Sequence, residues 1–149
     1  KHVRLIGIDS PEAGENDKLR RDFRRSHKNL NAIIEKGKKA SQFTRELAQG
    51  KEVRLEYDVE KHDKYGRVLA YVFDVGTYKN KMDMASSIGY EIIHGNEIFI
   101  NATIVKSGYA SPLTIPPNVK YADQFLKLQR EAKEFGRGLW KDRSKGGLF

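Results

Sequence analysis

The first third of the chain shows one strand pattern followed by two helix patterns. Residues 2–9 are rich in β-branched and aliphatic side chains and end at a Ser-Pro pair, which predicts a strand followed by a break. Apolar residues between 17 and 34 recur at near-helical spacing among arginines, which predicts a basic amphipathic helix. After Gly37 a second apolar stripe begins and ends at Gly50, so we expect a separate helix there.

The rest of the chain predicts a hairpin and two further helices. Strict alternation over 53–59 and an apolar run over 68–75 flank a short glycine-bearing segment, so the two strands are expected to pair antiparallel. Residues 101–106 predict a short helix, and Asn118 is expected to cap a final one. Apolar residues recur at helical spacing along one face of this last helix, and we expect that face to lie in the core. These residues are Tyr121, Phe125, Leu128, Ala132 and Phe135. This order of elements predicts an α+β chain.

Composition and charge narrow the classes of function. The 149 residues are 38% hydrophobic and 32% charged, and no apolar run approaches the roughly 20 residues of a membrane span. The absence of cysteine excludes disulfides, thiolate metal sites and a cysteine nucleophile. The net charge of +8 favours a polyanionic partner, and most of the excess is local, with +5 in residues 18–28 and +4 in residues 127–145.

Two carboxylates, Asp9 and Glu12, stand three residues apart directly after the first predicted strand. They fit a helix N-terminus, and they also fit a hard-cation site with a base beside it. Arg4 and Arg67 likewise have two interpretations: a lone arginine is most often surface decoration, but its planar guanidinium also matches phosphate oxygens. The four histidines lack metal-ligand spacing, and neither a nucleophile elbow nor a glycine-rich phosphate loop occurs, which argues against zinc, esterase and P-loop chemistry.

Two segments, residues 3–12 and 63–72, resemble the signature segments of the staphylococcal nuclease family nearly position by position. The likeness continues through 101–110, 117–118 and 138–140. Members of this family have an OB-type five-stranded β-barrel packed against three helices, and they cleave DNA and RNA phosphodiesters with Ca²⁺. The resemblance therefore implies an α+β OB-type fold and a calcium-dependent nuclease of low sequence specificity, an endonuclease of the thermonuclease type.

The resemblance also implies a domain organisation. One nuclease domain is expected over residues 1–149, with inserts at about 15–37 and 76–97. The first strands of the barrel, and the family's other calcium carboxylate, are expected upstream of Lys1, so the domain is expected to be incomplete at its N-terminus. Three aspartates at non-matching positions are conceivable substitutes for that carboxylate: Asp58, Asp63 and Asp83.

Carried over residue by residue, the resemblance implies a metal site and a phosphate site. Asp9 and the backbone carbonyl of Ser10 would ligate Ca²⁺, and Glu12 would activate or orient the attacking water. Arg4 and Arg67 would bind the scissile phosphate and stabilise the charge that develops on its oxygens.

Further contacts with the substrate are expected around this centre. The resemblance implies that Lys64 and Tyr65 flank the bound nucleotide, whereas Leu113 and Ile115 replace the tyrosines that the family uses against it. From the local charge, and not from the resemblance, we expect the first insert to clamp the substrate backbone through Arg20, Arg21, Arg24 and Arg25.

One alternative function stays open, a catalytically inactive SNase-like or OB-fold module that binds nucleic acid or protein. The expected partner is DNA and/or RNA, with no membrane association and no obligate protein partner. The resemblance favours a secreted or periplasmic location, which nothing else in the chain indicates.

The site assignment makes one geometric demand. Arg4 and Asp9 are five positions apart, so a straight strand would direct their side chains to opposite faces of the sheet. A bend or bulge near Gly7 is needed to bring them together. A straight strand with diverging side chains would contradict the assignment.

Overall fold

The computed structural model describes residues 2–10, 30–76, 92–93 and 97–145. The strands in these ranges are β1 (Val3–Leu5), β2 (Ile8–Asp9), β3 (Val53–Glu56), β4 (Val68–Asp74), β5 (Ile92–Ile93), β6 (Glu97–Phe99) and β7 (Ser111–Pro112). The α-helices described are α1 (Leu30–Ala48), α2 (Ile100–Lys106) and α3 (Ala122–Phe135), and a 3₁₀ helix follows at Gly138–Lys145. This confirms the α+β class.

Strand β4 organises the sheet. It pairs in parallel with β1 and antiparallel with both β3 and β6, and β6 in turn pairs with β5. The predicted hairpin is confirmed, with Val53 opposite Asp74 and Glu56 opposite Tyr71, although β3 ends three residues earlier than its alternating pattern. Strands β2 and β7 form a separate antiparallel pair, which connects the first residues of the chain to the segment that precedes α3.

An aromatic cluster forms the centre of the core. Tyr71 and Phe73 on β4 pack with Phe99 at the end of β6 and with Phe125 on α3, and each of these side chains is at most 1% exposed. The rings of Phe73 and Phe99 stack at 4.5 Å, and Tyr121 meets Tyr71 edge to face at 4.6 Å. Because β4 is buried along almost its whole length, its residues form a continuous apolar run and not an alternating one.

The glycine at position 37 does not interrupt a helix, contrary to the sequence prediction. Helix α1 runs without a break from Leu30 to Ala48, and Gly37 is buried inside it. An interior glycine costs about 1 kcal/mol relative to alanine, which burial of the apolar face of a helix of 19 residues outweighs. The part of the predicted basic helix before Leu30, and most of both expected inserts, lie outside the described residues.

Two predictions about the last helix are wrong. Asn118 does not cap it, because α3 begins at Ala122 and the Asn118 side chain instead pairs with the backbone of Glu60, accepting from its N–H at 2.9 Å and donating to its carbonyl at 3.0 Å. Phe135 is not core, since it is the final helical residue and is 65% exposed, with the Arg137 guanidinium 5.1 Å from its ring.

Two further helix predictions are confirmed. The short helix predicted at 101–106 is α2, one residue longer at its start, and Phe125, Leu128 and Ala132 of α3 are buried. No helix within the described ranges is long and apolar enough to cross a membrane.

Candidate functional site

The chain turns sharply at Ile6 and Gly7, between β1 and β2. Gly7 has a φ of +83°, and a Cβ atom there would lie 2.5 Å from the ring of Phe125, so only glycine fits without rearrangement. This turn is the bend that the spacing of Arg4 and Asp9 requires.

Three distant parts of the chain hold the backbone of this turn. The N–H of Ile6 donates to the carbonyl of Ala70 on β4 at 3.0 Å, and its carbonyl accepts from the buried Asn101 side chain of α2 at 3.0 Å. The N–H of Leu113 donates to the carbonyl of Gly7 at 2.8 Å. The turn is therefore fixed from the sheet, from a helix and from the segment after β7.

The guanidinium group of Arg4 folds back over the turn. Its Nη1 donates to the carbonyl of Ile8 at 3.1 Å and to that of Leu5 at 3.3 Å, and its Nη2 lies 3.9 Å from Oδ1 of Asp9. The side chains of Arg4 and Asp9 thus lie on the same side of the chain despite their odd spacing, and the geometric demand of the site assignment is met.

Arg67 reaches the same region from the hairpin loop. Arg4 pairs with Leu69 across the parallel β1–β4 ladder, and Arg67 immediately precedes β4. Arg4, Arg67 and Leu69 all line the same cleft. The loop before Arg67 is a tight turn closed by Asp63, whose carbonyl accepts from the N–H of Gly66 at 3.0 Å. Gly66 has a φ of +79°, as this turn requires.

These elements enclose a cleft of about 360 Å³. Its lining includes the cationic side chains of Arg4, Lys64 and Arg67 and the ring of Tyr65, which is 73% exposed. Four aliphatic residues also line the cleft and are called its apolar wall: Leu5, Leu69, Leu113 and Ile115. The structure therefore brings together Arg4, Lys64, Tyr65 and Arg67, and it places the two residues that replace the family's tyrosines in the cleft wall.

The cations of the cleft loop surround the ring of Tyr65. The Nζ atom of Lys64 lies 5.2 Å from the ring centroid and the guanidinium carbon of Arg67 lies 5.6 Å from it. Both distances are within the range of cation–π attraction. The tyrosine thus presents an aromatic face next to two positively charged groups.

Two of the three conceivable substitute calcium ligands have other partners. Asp63 accepts from Nε of Arg67 at 2.6 Å, and Asp58 accepts from the hydroxyl of Tyr71 at 2.7 Å and from the N–H of Lys120 at 3.1 Å. Desolvation acts to raise the pKa of each carboxyl, but hydrogen bonds outweigh it and hold that pKa below its usual value. Both carboxylates already accept hydrogen bonds from other groups of the protein, so neither fits the role of a metal ligand. Asp83 lies outside the described residues.

Asp9 and Ser10 form the described part of a possible cation site. A carboxylate and a backbone carbonyl are the oxygen donors that Ca²⁺ prefers, but this ion takes six to eight of them. Within the described residues no three histidine, aspartate or glutamate side chains come together. The described residues therefore include only two of the oxygen donors that a calcium site would need. Glu12 lies outside the described ranges, as do Arg20, Arg21, Arg24 and Arg25.

Sequence reasoning missed two residues that shape the site. Asn101 is fully buried and bonds the turn at Ile6 and the N–H of Val72, and nothing in its sequence neighbourhood signals this role. The hydrogen bonds of Asp63 within the loop were not predicted, although an aspartate three positions before a glycine is a common turn signal that indicates such a role.

The site has the chemistry of a phosphate-ester binder, because arginine forks match phosphate oxygens and an apolar wall accommodates an attached organic group. The family described as "Staphylococcal nuclease homologue" matches residues 2–142, and the chain belongs to this family. The resemblance found in the sequence motifs is thereby confirmed.

Three proteins that are similar to this chain carry the names of nucleases. The chain is 33% identical over 141 residues to the "Thermonuclease" of Staphylococcus intermedius and 29% identical over 142 residues to that of Staphylococcus hyicus, covering 95% of this chain and 64% of each relative. It is 30% identical over 141 residues to the "SPbeta prophage-derived endonuclease YokF" of Bacillus subtilis (strain 168), covering 93% of this chain and 36% of that protein. The chain thus spans less than two thirds of the length of these relatives.

Proposed function

We propose that the protein is a calcium-dependent nuclease that hydrolyses phosphodiester bonds of DNA and/or RNA with low sequence specificity. The observation that carries the proposal is the turn at Ile6 and Gly7, which brings Arg4 within 3.9 Å of Asp9 and into the same cleft as Arg67. The thermonuclease and endonuclease relatives support the reaction class.

In this proposal Arg4 and Arg67 bind the scissile phosphate. Each guanidinium offers planar, charge-assisted donors to the non-bridging oxygens, and the interaction strengthens as negative charge builds on them in the transition state. Arg4 is held in place by two backbone carbonyls before any substrate arrives, so little reorganisation is needed.

Asp9 and the Ser10 carbonyl would hold the cation, with the remaining ligands coming from water, from substrate and from residues outside the described ranges. The bound Ca²⁺ would supply positive charge next to the phosphate. Glu12 would take the proton of the attacking water or orient that water. The water oxygen would bond to phosphorus as one of its protons passes to Glu12 or to solvent, and the bond between phosphorus and the 5′ oxygen would break. The departing 5′ oxygen would take a proton from solvent water, so the products would carry 3′-phosphate and 5′-hydroxyl ends.

The apolar wall accounts for the proposed lack of sequence specificity. Leu113 and Ile115 carry no hydrogen-bonding group, and the amide of Asn118 is already bonded to Glu60, so this side of the cleft offers little to read a base edge. Tyr65 and the apolar wall can contact any base face.

We also propose that the chain forms a single nuclease domain with two inserts, and that the family's closed five-stranded barrel is the setting of this cleft.

The test is digestion of single-stranded DNA and of RNA by the full-length protein, first with Ca²⁺ and then with a chelator. We expect cutting with Ca²⁺ that stops on chelation. Cutting that survives chelation would refute the metal-assisted mechanism. Absence of cutting in both conditions, with retained binding measured by fluorescence anisotropy, would favour the inactive binding module.

A further inference from the structure

The carboxylate of Asp63 accepts three hydrogen bonds within the loop that carries Lys64, Tyr65 and Arg67. Its Oδ1 accepts from the backbone N–H groups of Tyr65 and Arg67, both at 2.9 Å. Its Oδ2 accepts from Nε of Arg67 at 2.6 Å. One side chain therefore fixes both the backbone of the loop and the guanidinium group that the loop presents.

The contact at Nε determines the direction of the guanidinium. This group is planar, so holding Nε restricts where the two terminal nitrogens point. Among the described residues the guanidinium makes this one hydrogen bond, and Arg67 lines the cleft, so the group is placed where a ligand in the cleft would meet it. Without the contact, a side chain that is 47% exposed would sample several rotamers and would have to be ordered by the substrate.

Asp63 and Arg67 form an ion pair, because the Asp63 carboxyl is ionised at neutral pH. Desolvation acts to raise the pKa of Asp63, but the hydrogen bonds from Arg67 and Tyr65 outweigh it and hold that pKa below its usual value, so the carboxylate stays ionised at neutral pH. A full negative charge opposite Nε makes the hydrogen bond charge-assisted on both sides.

We propose that Asp63 is a positioning residue for phosphodiester cleavage, which pre-orients the Arg67 guanidinium towards the scissile phosphate. The inference rests on the proposed nuclease function and goes beyond it, because it assigns to Asp63 a role in turnover that acts only through Arg67.

Asp63→Asn is the informative substitution. The asparagine oxygen can still accept from the two backbone N–H groups, so the loop keeps its shape, whereas the amide NH₂ now faces Nε of Arg67 and the two donors repel. On a single-stranded DNA oligonucleotide with Ca²⁺, we expect kcat of the full-length protein to fall about 10-fold, in line with the cost of a misplaced catalytic contact. We expect KM to stay equal or to decrease, because a negative charge next to the cleft has been removed.

A double-substitution cycle separates positioning from a general effect. If Asp63 acts through Arg67, Asp63→Asn should change kcat by less than about 2-fold when it is introduced into an Arg67→Ala protein. An equal loss of kcat in both backgrounds would overturn the proposal.

Asp58→Asn is the matched control. Asp58 also accepts from two backbone N–H groups and one side-chain donor, but it ties the segment after β3 to β4 and to the segment before α3, and it does not line the cleft. Its substitution should lower the urea midpoint of unfolding and leave kcat within about 2-fold of the wild type. A loss of kcat equal to that of Asp63→Asn would show that both act through the fold, and would overturn the positioning role.

The outcomes distinguish the inference from the function on which it rests. Wild-type protein that cuts in Ca²⁺ alongside an Asp63→Asn protein that cuts equally fast would refute only the positioning role. Wild-type protein that does not cut in Ca²⁺ would refute the nuclease function, and the positioning role with it.

Discussion

At the scale of single residues, the two cleft arginines are held in different ways. Arg4 donates to the backbone carbonyls of Leu5 and Ile8, which flank the turn that comes after it, so it helps to build the site as well as to line it. Arg67 is held by one carboxylate on an exposed loop. Substitution of Arg4 therefore disturbs structure and chemistry together, whereas Arg67 can be changed with little effect on the fold.

Glu12→Gln tests the proposed activation of water. Glutamine keeps the shape of the side chain but cannot accept a proton, so kcat should fall by about 10²-fold or more while the affinity for single-stranded DNA stays nearly the same. Single-turnover kinetics and anisotropy titrations in Ca²⁺ measure the two quantities. Losses of equal size in both would contradict a role in activating water.

At the scale of elements, the turn between β1 and β2 decides whether the site exists. Arg4 and Asp9 come together across the turn at Gly7, and that turn is held by β4, α2 and the segment after β7. The site is therefore a product of tertiary packing around one glycine.

Gly7→Ala should unfold more easily than Gly50→Ala. Both glycines have positive φ, at +83° and +74°, so both substitutions should cost about 1 kcal/mol of backbone strain. At Gly7 the new methyl group also meets the ring of Phe125, which adds about 1–3 kcal/mol, whereas nothing lies within 4 Å at Gly50. Urea unfolding checks the difference, and equal losses of unfolding free energy would contradict the close packing at Gly7.

Acid should weaken the connection between β3 and the segment before α3. Desolvation acts to raise the pKa values of Glu56 and Asp58, but hydrogen bonds from Lys120 and Tyr121 to Glu56, and from Tyr71 and backbone N–H groups to Asp58, hold both below their usual values. Their stabilisation is therefore complete above the unfolded pKa values, about 3.9 for Asp and 4.3 for Glu, and is lost as the pH falls through the lower folded values.

Asp58→Asn should accordingly cost about 1–2 kcal/mol at pH 7, the usual size of a lost charge-assisted hydrogen bond. It should also flatten the decrease of unfolding free energy in acid. Urea unfolding of both proteins at a series of pH values measures this. An acid limb as steep as that of the wild type would show that Asp58 titrates alike in the folded and unfolded states.

Patterns in the sequence predicted the elements better than their connections. The hairpin, the short helix α2 and the buried face of α3 follow from local periodicity, and the residues of the cleft follow from the family motifs. The hold on the turn at Ile6 could not be predicted, because its partners Ala70, Asn101 and Leu113 are 64 or more positions away.

Two local rules failed because distant contacts outweighed them. Gly37 was expected to end a helix, but burial of the helix face overrides its low propensity. Asn118 was expected to cap α3, but its amide makes two hydrogen bonds to Glu60, 58 positions away. In both cases contacts with distant parts of the chain determined the structure, and the local propensity of the residue did not.

At the scale of the whole molecule, the net charge of +8 is unevenly distributed. Residues 18–28 carry +5, residues 127–145 carry +4, and the rest of the chain sums to −1. The cleft itself adds Arg4, Lys64 and Arg67. A polyanion would therefore meet several separate basic regions.

Neutralising the first of these regions should change the salt dependence of substrate binding. With Arg20, Arg21, Arg24 and Arg25 all replaced by glutamine, the slope of log K against log salt for single-stranded DNA should flatten by up to roughly 3, since each lost phosphate contact contributes about 0.7. Anisotropy titrations between low and moderate salt measure the slope. An unchanged slope would mean that this segment does not contact the substrate backbone.

The most direct test of the central claim is the rate at which the full-length protein cuts a single-stranded DNA oligonucleotide in Ca²⁺, measured for the wild type, Arg67→Ala and Arg45→Ala. Arg45 is exposed on α1 and does not line the cleft, so it controls for the loss of one positive charge. We predict that Arg67→Ala lowers kcat about 100-fold, the usual cost of one transition-state donor, and that Arg45→Ala stays within about 2-fold of the wild type. Equal rates for the wild type and Arg67→Ala would contradict the assignment of this cleft as the site of phosphodiester cleavage.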